Sequence, residues 1–110
     1  MRTAPKLRNV GPDMSAQAGE AAALLKTLAN QNRLMIVCTL AGGERSVGQL
    51  EETLGIHQPT LSQQLTVLRE ANIVATRRDA KQIFYRLAEE KAARLVMALY
   101  DIYCREETKQ

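Results

Sequence analysis

Raw material for several kinds of chemistry is missing from this sequence. Its 110 residues contain one histidine, His57, and two cysteines, Cys38 and Cys104, set 66 positions apart. A zinc site of ordinary type needs about four N, S or O ligands in suitable geometry, and this set does not obviously supply them. There is no glycine-rich phosphate loop and no serine–histidine–acid set around His57. Glu51-Glu52 and Glu89-Glu90 are adjacent in the chain, so on a helix the members of each pair point in different directions instead of converging on a substrate. The longest apolar run, Leu95 to Tyr100, is six residues, far short of the roughly 20 that span a bilayer. Arg2, Lys6 and Arg8 have no apolar core behind them, so the start does not read as a secretory signal. Enzyme and membrane protein are therefore the weak readings, and no metal or other cofactor is expected. The expected compartment is the cytoplasm, where a purely structural disulfide is out of place.

What is present suits one small domain. Apolar residues are 45% and charged residues 25% of the chain, near the average for a soluble globular domain. Fifteen Lys and Arg against twelve Asp and Glu leave a net charge of +3, which permits a nucleic-acid partner without naming one. Residues 1–12, with Pro5, Gly11 and Pro12, read as a flexible tail. Residues 13–106 read as the ordered domain and 107–110 as a second tail. Asp13 or Ser15 can cap a helix running to about Ala29, with Ala18, Ala21, Ala22, Leu25 and Leu28 at helical spacing. A second helix, from about Arg33 to Leu40, has Leu34, Met35, Cys38 and Ala41 on a common side and ends at Gly42-Gly43. Ser46 and Gln49 form a capping-box pattern for a third, closed at Gly55. Gln58 and Pro59 then start a fourth, to about Ala71, burying Leu61, Leu65 and Leu68. After Asn72 the period shortens to two. Ile73 to Arg78 and Gln82 to Leu87 flank the polar tip Asp79-Ala80-Lys81 as a hairpin, and a last helix runs from Glu89-Glu90 to about Glu106.

The order α-α-α-α-β-β-α predicts a mainly α fold with a small β-hairpin, a winged helix-turn-helix. Its fourth helix has an exposed face of short polar side chains without an acid: Gln58, Thr60, Ser62, Gln63 and Thr66, entered through Pro59. Such a face can enter the major groove, where Gln pairs with adenine and Ser or Thr serves a base or a phosphate. Arg77, Arg78 and Lys81, with Gln82 beside them, concentrate basic charge at the hairpin tip, where a wing meets the DNA backbone. The last helix is apolar on two sides: Ala92, Leu95, Val96, Leu99, Ile102 and Tyr103 make one stripe, and Ala93, Met97, Tyr100 and Cys104 another. A surface helix needs one stripe, and so short a chain has little with which to cover the second. A homodimer is expected, with Leu25, Leu95, Met97, Leu99, Tyr100, Ile102 and Tyr103 at its interface.

Several segments together resemble the ArsR/SmtB-type bacterial repressors. Lys26-Thr27-Leu28-Ala29-Asn30-Gln31-Asn32-Arg33-Leu34 looks like the entry motif of that family, and Gln58-Pro59-Thr60-Leu61-Ser62-Gln63-Gln64-Leu65 with Val67-Leu68-Arg69 like its recognition helix. Gln82-Ile83-Phe84-Tyr85-Arg86-Leu87 looks like its second wing strand. The resemblance spans roughly residues 17 to 105. Within the family, Val37-Cys38-Thr39-Leu40 and Ile102-Tyr103-Cys104 resemble the sulfide- and persulfide-responsive BigR/SqrR-like branch. It implies a homodimeric repressor on a near-palindromic double-stranded operator, with Cys38 and Cys104 as the sensor. In that branch a thiolate takes up sulfane sulfur, the second cysteine attacks the persulfide, and the resulting disulfide or polysulfide bridge releases the DNA. The regulated genes would then handle sulfide or reactive sulfur.

Two other readings stay open. Many members of the family sense metals, but the thiol pair that some carry on the helix beginning here at Ser46 is absent from Arg45-Ser46-Val47-Gly48-Gln49-Leu50. The Asp and His pairs that others carry on the last helix are reduced to Asp101. A winged helix that binds protein instead of DNA is the remaining alternative. From the residues alone, each cysteine reads first as a small core hydrophobe, and nothing in the spacing brings the two together.

Overall fold

The structure is a computed structural model and describes residues 10–104. Its elements in chain order are α1 (Val10–Ser15), α2 (Ala18–Leu28), α3 (Gln31–Leu40), β1 (Arg45–Ser46), α4 (Val47–Leu54), α5 (Thr60–Glu70), β2 (Val74–Asp79), β3 (Gln82–Leu87) and α6 (Glu90–Tyr103). This is the mainly helical winged helix-turn-helix that the pattern predicts, with two additions and several shifted boundaries.

The first addition is α1, which begins inside the stretch expected to be a tail. Pro12 is its third residue, where a missing N–H leaves no gap because the first turn's amides have no helical partner. The single helix expected from Asp13 or Ser15 to Ala29 is divided at Ala16 and Gln17. There the Gln17 amide donates to the Met14 carbonyl at 2.9 Å, a tightened bond that interrupts the α-helical ladder. The second addition is β1. It pairs antiparallel with β3 (Arg45 opposite Tyr85, Ser46 opposite Phe84) and turns the hairpin into a three-stranded sheet of order β1-β3-β2. Two residues offer no alternation to read.

The helix α3 is the centre of the domain, packing against α2, α4, α5, α6 and β3. Asn30 caps it, its side-chain oxygen accepting from the Arg33 amide at 3.0 Å, so it starts two residues before Arg33. Its buried side is Ile36, Val37 and Leu40, with Leu34 and Cys38 packed at the flanks, while Met35 and Ala41 are exposed. The expected face was therefore rotated. Leu34 to Cys38 are all apolar and cover more than a full turn, so periodicity cannot choose among them.

The next boundaries follow local chemistry. In the capping box the Ser46 amide donates to Gln49 Oε1 at 2.8 Å and the Gln49 amide to Ser46 Oγ at 3.1 Å. Gly55, at φ 69°, closes α4. Pro59, not Gln58, occupies the cap position of α5, and no side chain caps it. At the far end Asn72 adopts φ 62°, a conformation Asn tolerates. The Ile73 amide bonds the Leu68 carbonyl at 3.0 Å, so the strand starts at Val74, one residue later than predicted. Asp79 pairs with Gln82, which shortens the predicted three-residue tip to Ala80-Lys81. The final helix ends at Tyr103; the predicted extension to Glu106 and the tail 107–110 lie outside the described residues.

Candidate nucleic-acid interface and thiol pair

Leu61, Leu65 and Leu68 recur at i, i+4 and i+7 along α5 and are fully buried. That spacing seats the helix on α3 and β2 and turns its opposite face outward. Gln58, Pro59, Thr60, Ser62, Gln63 and Thr66 are all exposed, as the sequence predicts. They are not equally available to a ligand. Ser62 Oγ donates to Gln58 Oε1, and Thr66 Oγ1 donates to the Ser62 carbonyl at 2.9 Å. Gln64, on the same polar run, is half-buried and accepts from Arg33 Nη1 at 2.9 Å. Arg33 also donates from Nε to the Thr27 carbonyl at 2.6 Å. One guanidinium at the start of α3 therefore links the end of α2 to the middle of α5. Sequence reasoning did not single out Arg33, whose partners stand 6 and 31 residues away.

The hairpin places Arg78, Lys81 and Gln82 at an exposed tip. Arg77 is different. Its guanidinium binds Glu44 through Nε (2.9 Å and 3.1 Å to the two oxygens) and Nη2 (2.8 Å), and lies 4.5 Å from the centre of the Phe84 ring. His57, at the turn before α5, is exposed and sits 3.6 Å from a Glu51 oxygen.

The two cysteines belong to different elements. Cys38 is half-buried on α3, and Cys104 is the exposed C-cap residue of α6. Those two helices pack together. Burial pushes the Cys38 thiol above its ordinary pKa, and the negative charge of a Cys104 thiolate pushes it further the same way. Neither is in a disulfide. Among the described residues no group of three or more His, Cys, Asp or Glu side chains is placed to hold a metal ion.

The side chains expected at a dimer interface divide. Leu95 and Leu99 are half-buried within the chain, whereas Leu25 is 55% exposed, Ile102 64% and Tyr103 70%, with Met97 and Tyr100 about half exposed. Only one line of α6, Ala92 and Val96, is fully covered. The stripe containing Ile102 and Tyr103 therefore leaves the domain at its end.

The family profile described as "Bacterial regulatory protein, arsR family" matches residues 30–76, from the α3 cap into β2. The "Biofilm growth-associated repressor" of Agrobacterium fabrum is 69% identical over 96 residues, covering 87% of this chain and 82% of that protein. The chain belongs to the ArsR family. The crystal structure of the transcriptional repressor BigR from Xylella fastidiosa superposes with a TM-score of 0.82 at 66% identity, covering 84% of this chain and 95% of that one. Reduced HlyU from Vibrio cholerae gives 0.79 at 38% identity, covering 84% and 97%. This ArsR-family protein is a DNA-binding transcriptional repressor of the BigR type and not an enzyme. No helix among its described residues is long and apolar enough to cross a membrane.

Proposed function

We propose that this repressor works as a homodimer on a near-palindromic operator and is released when Cys38 and Cys104 are bridged by reactive sulfur species or by oxidation, derepressing genes that detoxify sulfide. The observation that carries the reading is that a half-buried thiol stands on α3 and an exposed thiol ends α6, two helices that pack together.

The dimer follows from the uncovered apolar surface. Leu25, Met97, Tyr100, Ile102 and Tyr103 are exposed on α2 and α6, and a groove of about 820 Å³ beside α2 and the start of α6 has Met14, Leu24, Leu25 and Leu95 in its walls together with Gln17, Glu20 and Lys91. A twofold partner on this side sets two α5 helices about 34 Å apart, one turn of B-DNA. Thr60, Ser62, Gln63 and Thr66, with Gln58 and Pro59 at the entrance, face the major groove. Arg78, Lys81 and Gln82 meet the backbone.

The chemistry follows from access. The exposed Cys104, as thiolate, attacks a sulfane sulfur of disulfane; the S–S bond breaks, hydrosulfide leaves and Cys104 carries a persulfide. Cys38, deprotonated, attacks the inner sulfur and expels a second hydrosulfide. Two thiols are oxidised to a disulfide, and one sulfane bond is reduced to two hydrosulfides. The bridge ties α3 to the end of α6. Because Arg33 of α3 holds Gln64 of α5, a displaced α3 moves the reading helix. Release requires the bridged state to bind DNA less well than the reduced one.

The test uses a duplex selected by the reduced protein from a randomised library. At fixed salt, treatment with sodium tetrasulfide lowers wild-type affinity by roughly tenfold or more, while Cys38→Ser and Cys104→Ser bind equally before and after. Unchanged wild-type affinity would overturn the sensing reading and leave DNA binding intact.

A further inference from the structure

The wing carries three basic residues near its tip, and one is already spoken for. The sheet runs β1-β3-β2, and Phe84 of β3 stands opposite Arg77 of β2 on one side and Ser46 of β1 on the other. Glu44 is the second residue before Ser46. To reach it, the Arg77 side chain leaves β2, lies over the Phe84 ring and grips both carboxylate oxygens. The strap thus runs from β2 over β3 to the residue just before β1. It ends at the segment that enters β1, whose Ser46 is the cap of α4, so it also ties the wing to the helix pair that positions α5. Bidentate pairing to a carboxylate and stacking on an aromatic face both suit a planar guanidinium and not an ammonium.

The charges agree with the geometry. Hydrogen bonds from Arg77 hold the Glu44 carboxyl below the ordinary carboxylate range against the opposing effect of desolvation, with the charges of Arg77 and Arg86 adding to the attraction. Asp79 Oδ2 lies 3.7 Å from Arg77 Nη1 on the other side. Arg77 therefore adds little net positive charge to the tip, unlike Arg78 and Lys81.

We infer that Arg77, Glu44 and Phe84 form a clamp that positions the wing on DNA, and that Arg77 is a positioning residue and not a phosphate contact. The inference rests on the reading that the wing meets the DNA backbone, and it reassigns one residue from the basic set that the sequence suggested. A phosphate contact at Arg77 would make Glu44 a competitor whose removal tightens binding. A clamp makes Glu44 a requirement.

The two roles separate in binding of the reduced protein to the selected duplex over a range of salt. Removing one of two exposed, mutually supporting contacts is expected to weaken binding about three- to tenfold. Glu44→Ala should show this loss although it removes a negative charge near DNA. Arg77→Ala should show the same loss, and the double variant should be no worse than either. Arg77→Lys should behave like Arg77→Ala, because an ammonium can meet a phosphate but cannot form the clamp. Arg78→Ala is the reference contact, flattening the plot of log affinity against log salt by about 0.9, whereas the Arg77 and Glu44 variants leave the slope unchanged. Tighter binding by Glu44→Ala, or near-wild-type binding by Arg77→Lys with a flattened slope in Arg77→Ala, would overturn the clamp. Salt-independent binding of the wild type would instead overturn the DNA reading beneath it.

Discussion

Replacing Arg33 with alanine isolates the contact that joins three helices. The side chain gives one hydrogen bond to the Thr27 carbonyl at 2.6 Å and one to Gln64 Oε1 at 2.9 Å, both part-buried. Hydrogen bonds from a charged donor contribute roughly 1.5–3 kcal/mol each when well enclosed. Here water can reach the vacated acceptors, so the loss for the pair is put at about 2 kcal/mol, a shift of roughly 10 °C in melting temperature for a domain of this size. Urea unfolding of the reduced protein at one fixed protein concentration measures it, since any self-association makes stability depend on concentration. Gln64→Ala removes only the second bond and should lose about half as much. Combined with Arg33→Ala it should add almost nothing, because its partner is already gone. Arg33→Lys reaches one acceptor at a time and should fall between wild type and Arg33→Ala. A loss below about 0.5 kcal/mol for Arg33→Ala, or full additivity with Gln64→Ala, would refute the linkage.

Other expectations follow from single contacts. Ser46→Ala breaks the capping box and should destabilise the protein by about 1 kcal/mol, whereas Ser46→Thr keeps an acceptor and much of the stability; equal melting of the two variants would argue against the cap. Lys81→Ala should flatten the salt plot by about 0.9 and weaken binding alike on selected and scrambled duplexes. Gln63→Ala should instead narrow the gap between them, and an unchanged gap would remove Gln63 from readout. Iodoacetamide should label Cys104 before Cys38 near neutral pH, because burial and the Cys104 charge raise the Cys38 thiol above its ordinary value of 9.0. The folded chain then holds that proton more tightly than the unfolded chain does. Its stabilising effect is complete below pH 9.0 and is lost as pH rises through the folded value. Half-maximal labelling of Cys38 below pH 9 would contradict this.

The helix pair was legible because its boundaries rest on residues that act locally. Ser46 and Gln49 satisfy each other's backbone three positions apart, Gly55 supplies a left-handed φ, and three leucines at i, i+4 and i+7 choose the buried face of α5. The parts that were not legible depend on neighbours distant in sequence. Strand β1 exists because β3 offers it an edge, and its two residues look like the approach to a helix cap. The face of α3 is set by five packing partners instead of one, so a continuous apolar run gave no direction. The break between α1 and α2 turns on one backbone bond at Gln17 that no residue type announces.

The same distinction governs the site. Residue type was enough to place a polar, acid-free face on α5 and basic charge on the wing. It was not enough to tell which donors are already engaged. Arg77 and Arg78 are neighbours of the same chemistry, yet one is held by a carboxylate 33 residues away and the other is not. The cysteines show the point most sharply. Across 66 residues no spacing rule links them, and each alone passes for a core hydrophobe. What relates them is that α3 lies at the centre and α6 packs on it, so one thiol stands on the flank of the first helix and the other at the end of its neighbour. Their unequal exposure then gives the pair a direction. An exposed thiol meets a reagent first, and a half-buried one with a raised pKa is slow with reagents in solution. In the proposed switch, bridging would then follow only a first reaction at Cys104, so that an oxidant meeting Cys38 alone would leave the repressor on its DNA.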